Sequence, residues 1–241
     1  MINKSLYNII GSIFVLIGVY SSTVNAVPPT DHWFYEALQA WDKRDYPRAR
    51  ILFTRSAKIG NAEACYNLAV IYQKGYGVRR SQANAIRWFK IAAQRGHAAA
   101  QYTLARFVFA KRRKSARDMR NAKHWLTSAA RQNHSPSMYW LGTMYTMGQG
   151  VRTSHKQAAH WYLQAAQSGY GTAQLHMARI YSRGIGISRN KIEAYAWARL
   201  AMRQGVARAR QNWRYITRKM PADQRRAGER LAQRYYKLYL K

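Results

Sequence analysis

Apolar residues recur along this chain in paired helical stripes rather than in the alternation of strands. Between Ser137 and Ala173, Tyr139, Leu141, Gly142 and Tyr145 fall at helical spacing, and a Gly148-x-Gly150-Val151 loop interrupts them. Ala158, Trp161, Tyr162, Ala165 and Ala166 then mark the packed face of a second helix. Ser154 is placed to start that helix, because its oxygen accepts from backbone N–H groups left unpaired there. Gly169 is placed to end it, because glycine takes the left-handed backbone that closes a helix. The stretch predicts one helix-loop-helix unit.

Nearly everything beyond the N-terminus repeats that unit. Trp88, Trp125, Trp161 and Trp197 stand 37, 36 and 36 residues apart, and the expected second-helix starts Asp45, Ser81, Asp118, Ser154 and Asn190 stand 36, 37, 36 and 36 apart. Leu68, Leu104, Leu141 and Met177 keep the period on the first helices, and Gly60, Gly96, Asn133, Gly169 and Gly205 keep it at the ends of the second. A period of this length predicts an all-α solenoid of stacked helix pairs, in which no pair buries its apolar face without a neighbour. The recurring indoles are expected to fill the same gap between helices in every unit, hidden from water.

Two units depart from the pattern. Asp31 to Gly60 carries Trp33, Tyr35, Ala37, Leu38 and Trp41 on one helix, lacks the glycine loop, and has Leu52 where later units have tryptophan. The third unit has one extra residue and no loop glycine: Ala110 to Arg117 reads AKRRKSAR. That composition predicts a first helix running on into a basic knuckle before the cap Asp118. Two readings of the knuckle stand, an exposed solvated loop or an anion-binding site of Lys111, Arg112, Arg113, Lys114 and Arg117. After Gly205, the stretches 206–219 and 222–240 predict two further helices divided at Met220-Pro221. Leu231, Tyr235 and Leu238 on the last are candidates to cover the final apolar face.

The pattern A-x-x-x-L-G-x-x-Y-x-x-G-x-G-V, followed by a cap and A-x-x-W-Y-x-x-A-A-x-x-G, resembles the Sel1-like repeat, a relative of the tetratricopeptide repeat with a longer inter-helix loop. Gly75-Tyr76-Gly77-Val78, Gly148-Gln149-Gly150-Val151 and Gly184-Ile185-Gly186-Ile187 carry the loop signature, and the resemblance runs from roughly residue 35 to 206. It implies a right-handed α-solenoid of about five repeats within 27–206, the first and third degenerate, with capping helices over 207–241. It also implies a protein-interaction scaffold that uses no cofactor. In such superhelices, first-helix positions that the repeat pattern leaves free face a concave groove. Asn67, Arg106, Trp140, Thr143, His176 and Arg179 are therefore the candidate partner-binding residues. Trp140 reads as a binding anchor or as packing against the neighbouring unit. Similar proteins assist cell-envelope assembly or regulate murein-processing enzymes, and some in intracellular bacteria promote host-cell entry.

Charge adds a second hypothesis. Lysine and arginine total 41 against 9 acidic residues, a formal net charge of +32, and Asp118 alone interrupts the acid-free tract from Ala64 to Ile192. Either the protein meets a polyanion or the whole proteome it belongs to is basic. The alternative function is thus electrostatic binding of an anionic polymer such as lipopolysaccharide, peptidoglycan or a glycan. The single cysteine, Cys65, forms no internal disulfide and is expected to be buried and inert.

Residues 1–26 read as a cleaved signal peptide, with Lys4, an apolar run from Ile9 to Tyr20, and Val24-Asn25-Ala26 ahead of Val27. The run extends about 18 Å as a helix, short of the roughly 30 Å hydrocarbon core, so no stable membrane anchor is expected. The expected location is periplasmic or secreted, where a nucleic-acid partner is out of reach. Catalysis and metal binding lack support. No HExxH, nucleophile elbow or P-loop is present, and His155 and His160 stand five apart where a helical ligand pair stands four.

Overall fold

Every second helix of a repeated pair starts on a residue whose side chain caps it. The computed structural model describes residues 31–218 and 220–240, so the expected signal peptide lies outside the described residues. Twelve helices and no strand occur among them. In chain order they are α1 His32–Asp42, α2 Tyr46–Lys58, α3 Ala62–Lys74, α4 Gln82–Gln94, α5 Ala98–Ala110 and α6 Ala116–Ala130, then α7 Ser135–Met147, α8 His155–Gln167, α9 Gly171–Arg183, α10 Lys191–Arg203, α11 Ala209–Thr217 and α12 Ala222–Tyr239. Side chains of Asp45, Ser81, Ser154 and Asn190 accept from backbone N–H groups in the first turns of α2, α4, α8 and α10, as expected. Gly60, Gly96, Asn133, Gly169 and Gly205 all take positive φ at the ends of second helices.

The chain divides into two units, one ending at Ala110 and one beginning at Lys111. In the first, α1 to α5 each pack on the next; in the second, α6 to α10 do the same, with α11 and α12 closing on α10. Each is a stretch of α-solenoid. None of the described helices is long and apolar enough to cross a membrane.

The unit boundary falls at the glycine-free loop, where two expectations need correction. α5 has 13 residues, the same length as α3, so the first helix does not run on. Instead α6 gains a turn at its start and has 15 residues. Ser115, not Asp118, is its N-cap: the Ser115 hydroxyl accepts from the Asp118 N–H at 3.0 Å while the Asp118 carboxylate accepts from the Ser115 N–H at 3.0 Å. This reciprocal box satisfies two orphan donors at once, so the helix starts three residues early.

The tryptophan ladder is also rotated from its expected place. Trp88, Trp125 and Trp161 are half-buried, whereas the residues that follow them, Phe89, Leu126 and Tyr162, are buried. A one-residue step turns a helix by about 100°, and at Tyr162 the facing residue is Gly142, whose missing side chain leaves room for the ring. Trp197 alone is fully buried, because α12 lies over α10 and stacks Tyr239 on its indole at 5.8 Å with Tyr235 at 4.8 Å. Leu238 is 60% exposed and takes no part; Ala232 and the side-chain-free Gly228, which abuts the Tyr195 ring, hold α12 close instead. In α1, Phe34 occupies the core and Tyr35 faces solvent.

Loop glycines bring neighbouring pairs into backbone contact. At Gly186 φ is +73°, and a Cβ there would stand 2.4 Å from the His155 carbonyl at the start of α8. At Gly150 a Cβ would overlap the Met119 Cβ on α6 at 2.6 Å, and at Gly77 it would crowd Tyr46 and Pro47 of α2 at 3.0 Å. Gly186→Ala is expected to cost about 3 kcal/mol or more, since a backbone overlap adds to the left-handed strain. Gly205→Ala meets no atom within 4 Å and should cost only about 1–2 kcal/mol from strain. Urea denaturation of the two variants measures the difference, and equal losses would show that close approach carries no weight.

Candidate functional site

Four of the six candidate groove residues lie on α7 and α9, at the register positions expected of them. Only some remain available. Asn67 on α3 is buried and its Nδ2 donates to the Glu63 carbonyl at 3.1 Å, so it presents nothing to a ligand. Thr143 spends its hydroxyl on the Tyr139 carbonyl at 3.2 Å and meets the Tyr162 hydroxyl at 3.1 Å. His176 stacks on Tyr162 with centroids 4.8 Å apart, and its Nε2 lies 3.3 Å from the Tyr139 hydroxyl. These two are packing residues whose free appearance in the sequence came from their polarity. Trp140 is half-buried and meets Tyr139 edge-on at 6.5 Å.

Arginine supplies what is left. In the first unit, exposed Arg106 lies 5.9 Å from the Tyr102 ring. In the second, Arg179 is half-buried and lines a cleft of about 280 Å³ with Arg183, Arg208, Gln211, Asn212 and Tyr215. The sequence reading missed the last five of these. Arg183 stands one turn after Arg179 on α9, which was a usable signal. The others lie in a helix read only as an end-piece.

The basic loop keeps most of its charge unpaired. Lys111 leaves the candidate set, because its Nζ holds the Asp118 carboxylate at 2.6 Å. That lysine, followed by the Ser115 N–H and hydroxyl, holds the Asp118 carboxyl down at about 2. Arg112, Arg113, Lys114 and Arg117 are exposed.

Polar chemistry elsewhere is structural. Buried Asp31 accepts from the Phe34 N–H at 3.1 Å and Asn61 Nδ2 at 2.8 Å, tying α1 to the start of α3. Cys65 is buried as expected; desolvation pushes its thiol up, and Arg95 Nη1 donates to its sulfur at 3.0 Å. No cluster of three or more metal-ligating side chains occurs among the described residues.

Burial, and next the Arg179 charge, depress the His176 imidazole to about 4. The unfolded chain, with an ordinary histidine near 6.5, then binds more protons than the folded one between those values. Stability is fully present above about 6.5 and falls as pH drops towards 4, by at most about 3 kcal/mol. His176→Phe should keep the ring packing and lose less stability than the parent between pH 7.5 and 4.5, read by thermal melts. Identical losses would show that His176 titrates normally.

A Sel1 repeat family model matches five consecutive segments, residues 33–61, 62–97, 98–134, 135–170 and 171–206. The chain is similar to a Sel1 repeat protein from Oxalobacter formigenes, with 22% identity, TM-score 0.71, and coverage of 95% of this chain and 97% of that one. It is similar also to a protective antigen of uropathogenic Escherichia coli displaying an SLR fold, with 24% identity, TM-score 0.60, and 86% of this chain covered. The match spans about half, 53%, of that antigen's length. A third likeness is to an immunity protein from Pseudomonas aeruginosa, with 21% identity, TM-score 0.51, and coverage of 90% and 82%. Sel1 repeat proteins are generally non-catalytic scaffolds that bind protein partners. With five tandem matches and capped, glycine-looped helix pairs beneath them, the chain belongs to the Sel1 repeat family.

Proposed function

We propose that this protein is an exported scaffold that holds a protein partner through the first helices of its repeats, in cell-envelope assembly or host interaction. The observation that carries the reading is where the cations sit. Arg106 and Arg179 stand on first helices with no carboxylate paired to them among the described residues, while the acids Glu63, Asp118 and Glu229 are engaged in the three ion pairs. Half-buried Trp140 offers an aromatic anchor in the second unit, a residue type that commonly dominates binding energy. Export rests on the composition of residues 1–26.

The exposed cations Arg112, Arg113, Lys114 and Arg117 favour a second reading, attraction of an anionic envelope or host polymer such as lipopolysaccharide, peptidoglycan or a glycan. Such attraction acts over a screening length of about 8 Å at physiological salt and weakens as salt rises.

N-terminal sequencing of the native protein should find Val27 first; a retained Met1 in a cytosolic fraction would overturn export. A photo-crosslinking residue at Arg106 or Trp140 should give a discrete protein adduct, and one at exposed Asn84 on α4 should not. Equal labelling at all three positions would contradict recognition by first helices.

A further inference from the structure

The cleft between α9 and α11 has a composition that packing does not explain. Arg179 and Arg183 stand one turn apart on α9, and Arg208, Gln211, Asn212 and Tyr215 share one face at the start of α11. No carboxylate pairs with any of the three arginines among the described residues. Of the acids nearest in sequence, Glu193 accepts from the Tyr235 hydroxyl at 2.9 Å, Glu229 pairs with Arg199 at 3.0 Å, and Asp223 is exposed at the start of α12 with no ion pair to these arginines.

Two further observations mark the place. Arg208 is held at φ +66° and ψ 0°, a left-handed backbone that disfavours every side chain with a Cβ. Glycine closes the preceding helix at Gly205 in that same conformation, yet here an arginine occupies it. Asn212 Oδ1, in turn, is buried with no hydrogen-bond donor. Tyr215 beside them is 70% exposed, an uncovered ring at the cleft's edge.

Building on the scaffold reading, we propose that this cleft receives an acidic peptide segment of the protein partner. Carboxylates pair with the guanidinium groups of Arg179, Arg183 and Arg208, whose planar forks match a carboxylate's two oxygens. The Tyr215 ring covers the adjoining aliphatic carbons, and a rotation of the Asn212 amide lets its Oδ1 accept from a peptide N–H. The orphan acceptor separates a peptide from a bare anion: phosphate carries the charge but has no amide to donate. Charge-assisted hydrogen bonds supply the affinity, and the amide contact supplies the selectivity.

The test uses the full chain and a fluorescein-labelled hexaglutamate peptide, read by fluorescence anisotropy at about 0.15 M salt. Substituting Arg179→Gln, Arg183→Gln and Arg208→Gln together should weaken binding by about tenfold or more. Substituting Arg112→Gln, Arg113→Gln and Lys114→Gln removes the same charge from the loop and should change it by less than about twofold. Equal losses would reduce the effect to net charge and overturn the site. Displacement of the peptide by inorganic phosphate at matched charge would likewise overturn the peptide assignment. Arg208→Gly guards against misfolding: it should melt at the same or a higher temperature while binding the peptide more weakly, and unchanged binding would remove Arg208 from the site. If the cleft fails these tests while Arg106 and Trp140 still crosslink a partner, only the cleft assignment falls. A cleft that binds peptide with no adduct at those positions would instead contradict the first-helix scaffold.

Discussion

The repeat depends on the close approach of each glycine-bearing inter-helix loop to the helix pair before it. The second glycine of the inter-helix loop lies against the first turn of the preceding second helix at Gly77, Gly150 and Gly186; a methyl group would overlap it at Gly150 and Gly186 and crowd it at Gly77. That contact fixes how far apart successive pairs stand, and therefore which side chains meet across them. The third repeat shows the consequence of losing the glycines. Its loop from Lys111 to Ser115 is glycine-free, its second helix starts early on a capping box, and the division between the two units falls there.

Once spacing is set, burial is decided by small residues. Alanines at Ala92, Ala129, Ala158 and Ala165 on the second helices are wholly or almost wholly buried and share the inward face with the residue after each tryptophan, so helices approach closely there. The indoles of Trp88, Trp125 and Trp161 flank the core, and Trp197 is enclosed only because α12 lays two tyrosines on it. Solenoids end in such a cover, since the last pair has no further pair to bury its face. Here the cover engages Glu193 through Tyr235 and Glu229 through Tyr195 and Arg199, so neither acid pairs with Arg179, Arg183 or Arg208.

Period, capping and helix pairing were legible because they rest on local chemistry: Asp45, Ser81, Ser154 and Asn190 cap where their side chains can reach, whatever lies further away. Asp118 misled because Ser115 three residues earlier has equal capping chemistry, and the pair cooperate. Facing was harder to read. An apolar stripe on a helix is more than about 100° wide, so Trp161 and Tyr162 both qualify for the core until Gly142 is placed opposite Tyr162. Asn67, Thr143 and His176 looked free because they are polar, yet each is satisfied inside the packing by a partner in its own or a neighbouring helix. The arginine cleft was hidden for the opposite reason, since half of it belongs to a helix outside the repeat pattern.

On the proposed reading, binding falls to cations that no carboxylate neutralises and to a cleft where the Asn212 Oδ1 acceptor lacks a donor. That arrangement depends on glycine contacts coupling each helix pair to the next. Hydrogen exchange followed by mass spectrometry on the full chain tests it most directly. Helices α1 to α5 should form one protection group and α6 to α12 another, with fast exchange from Lys111 to Lys114. One uniform protection level running unbroken through that loop would contradict the account.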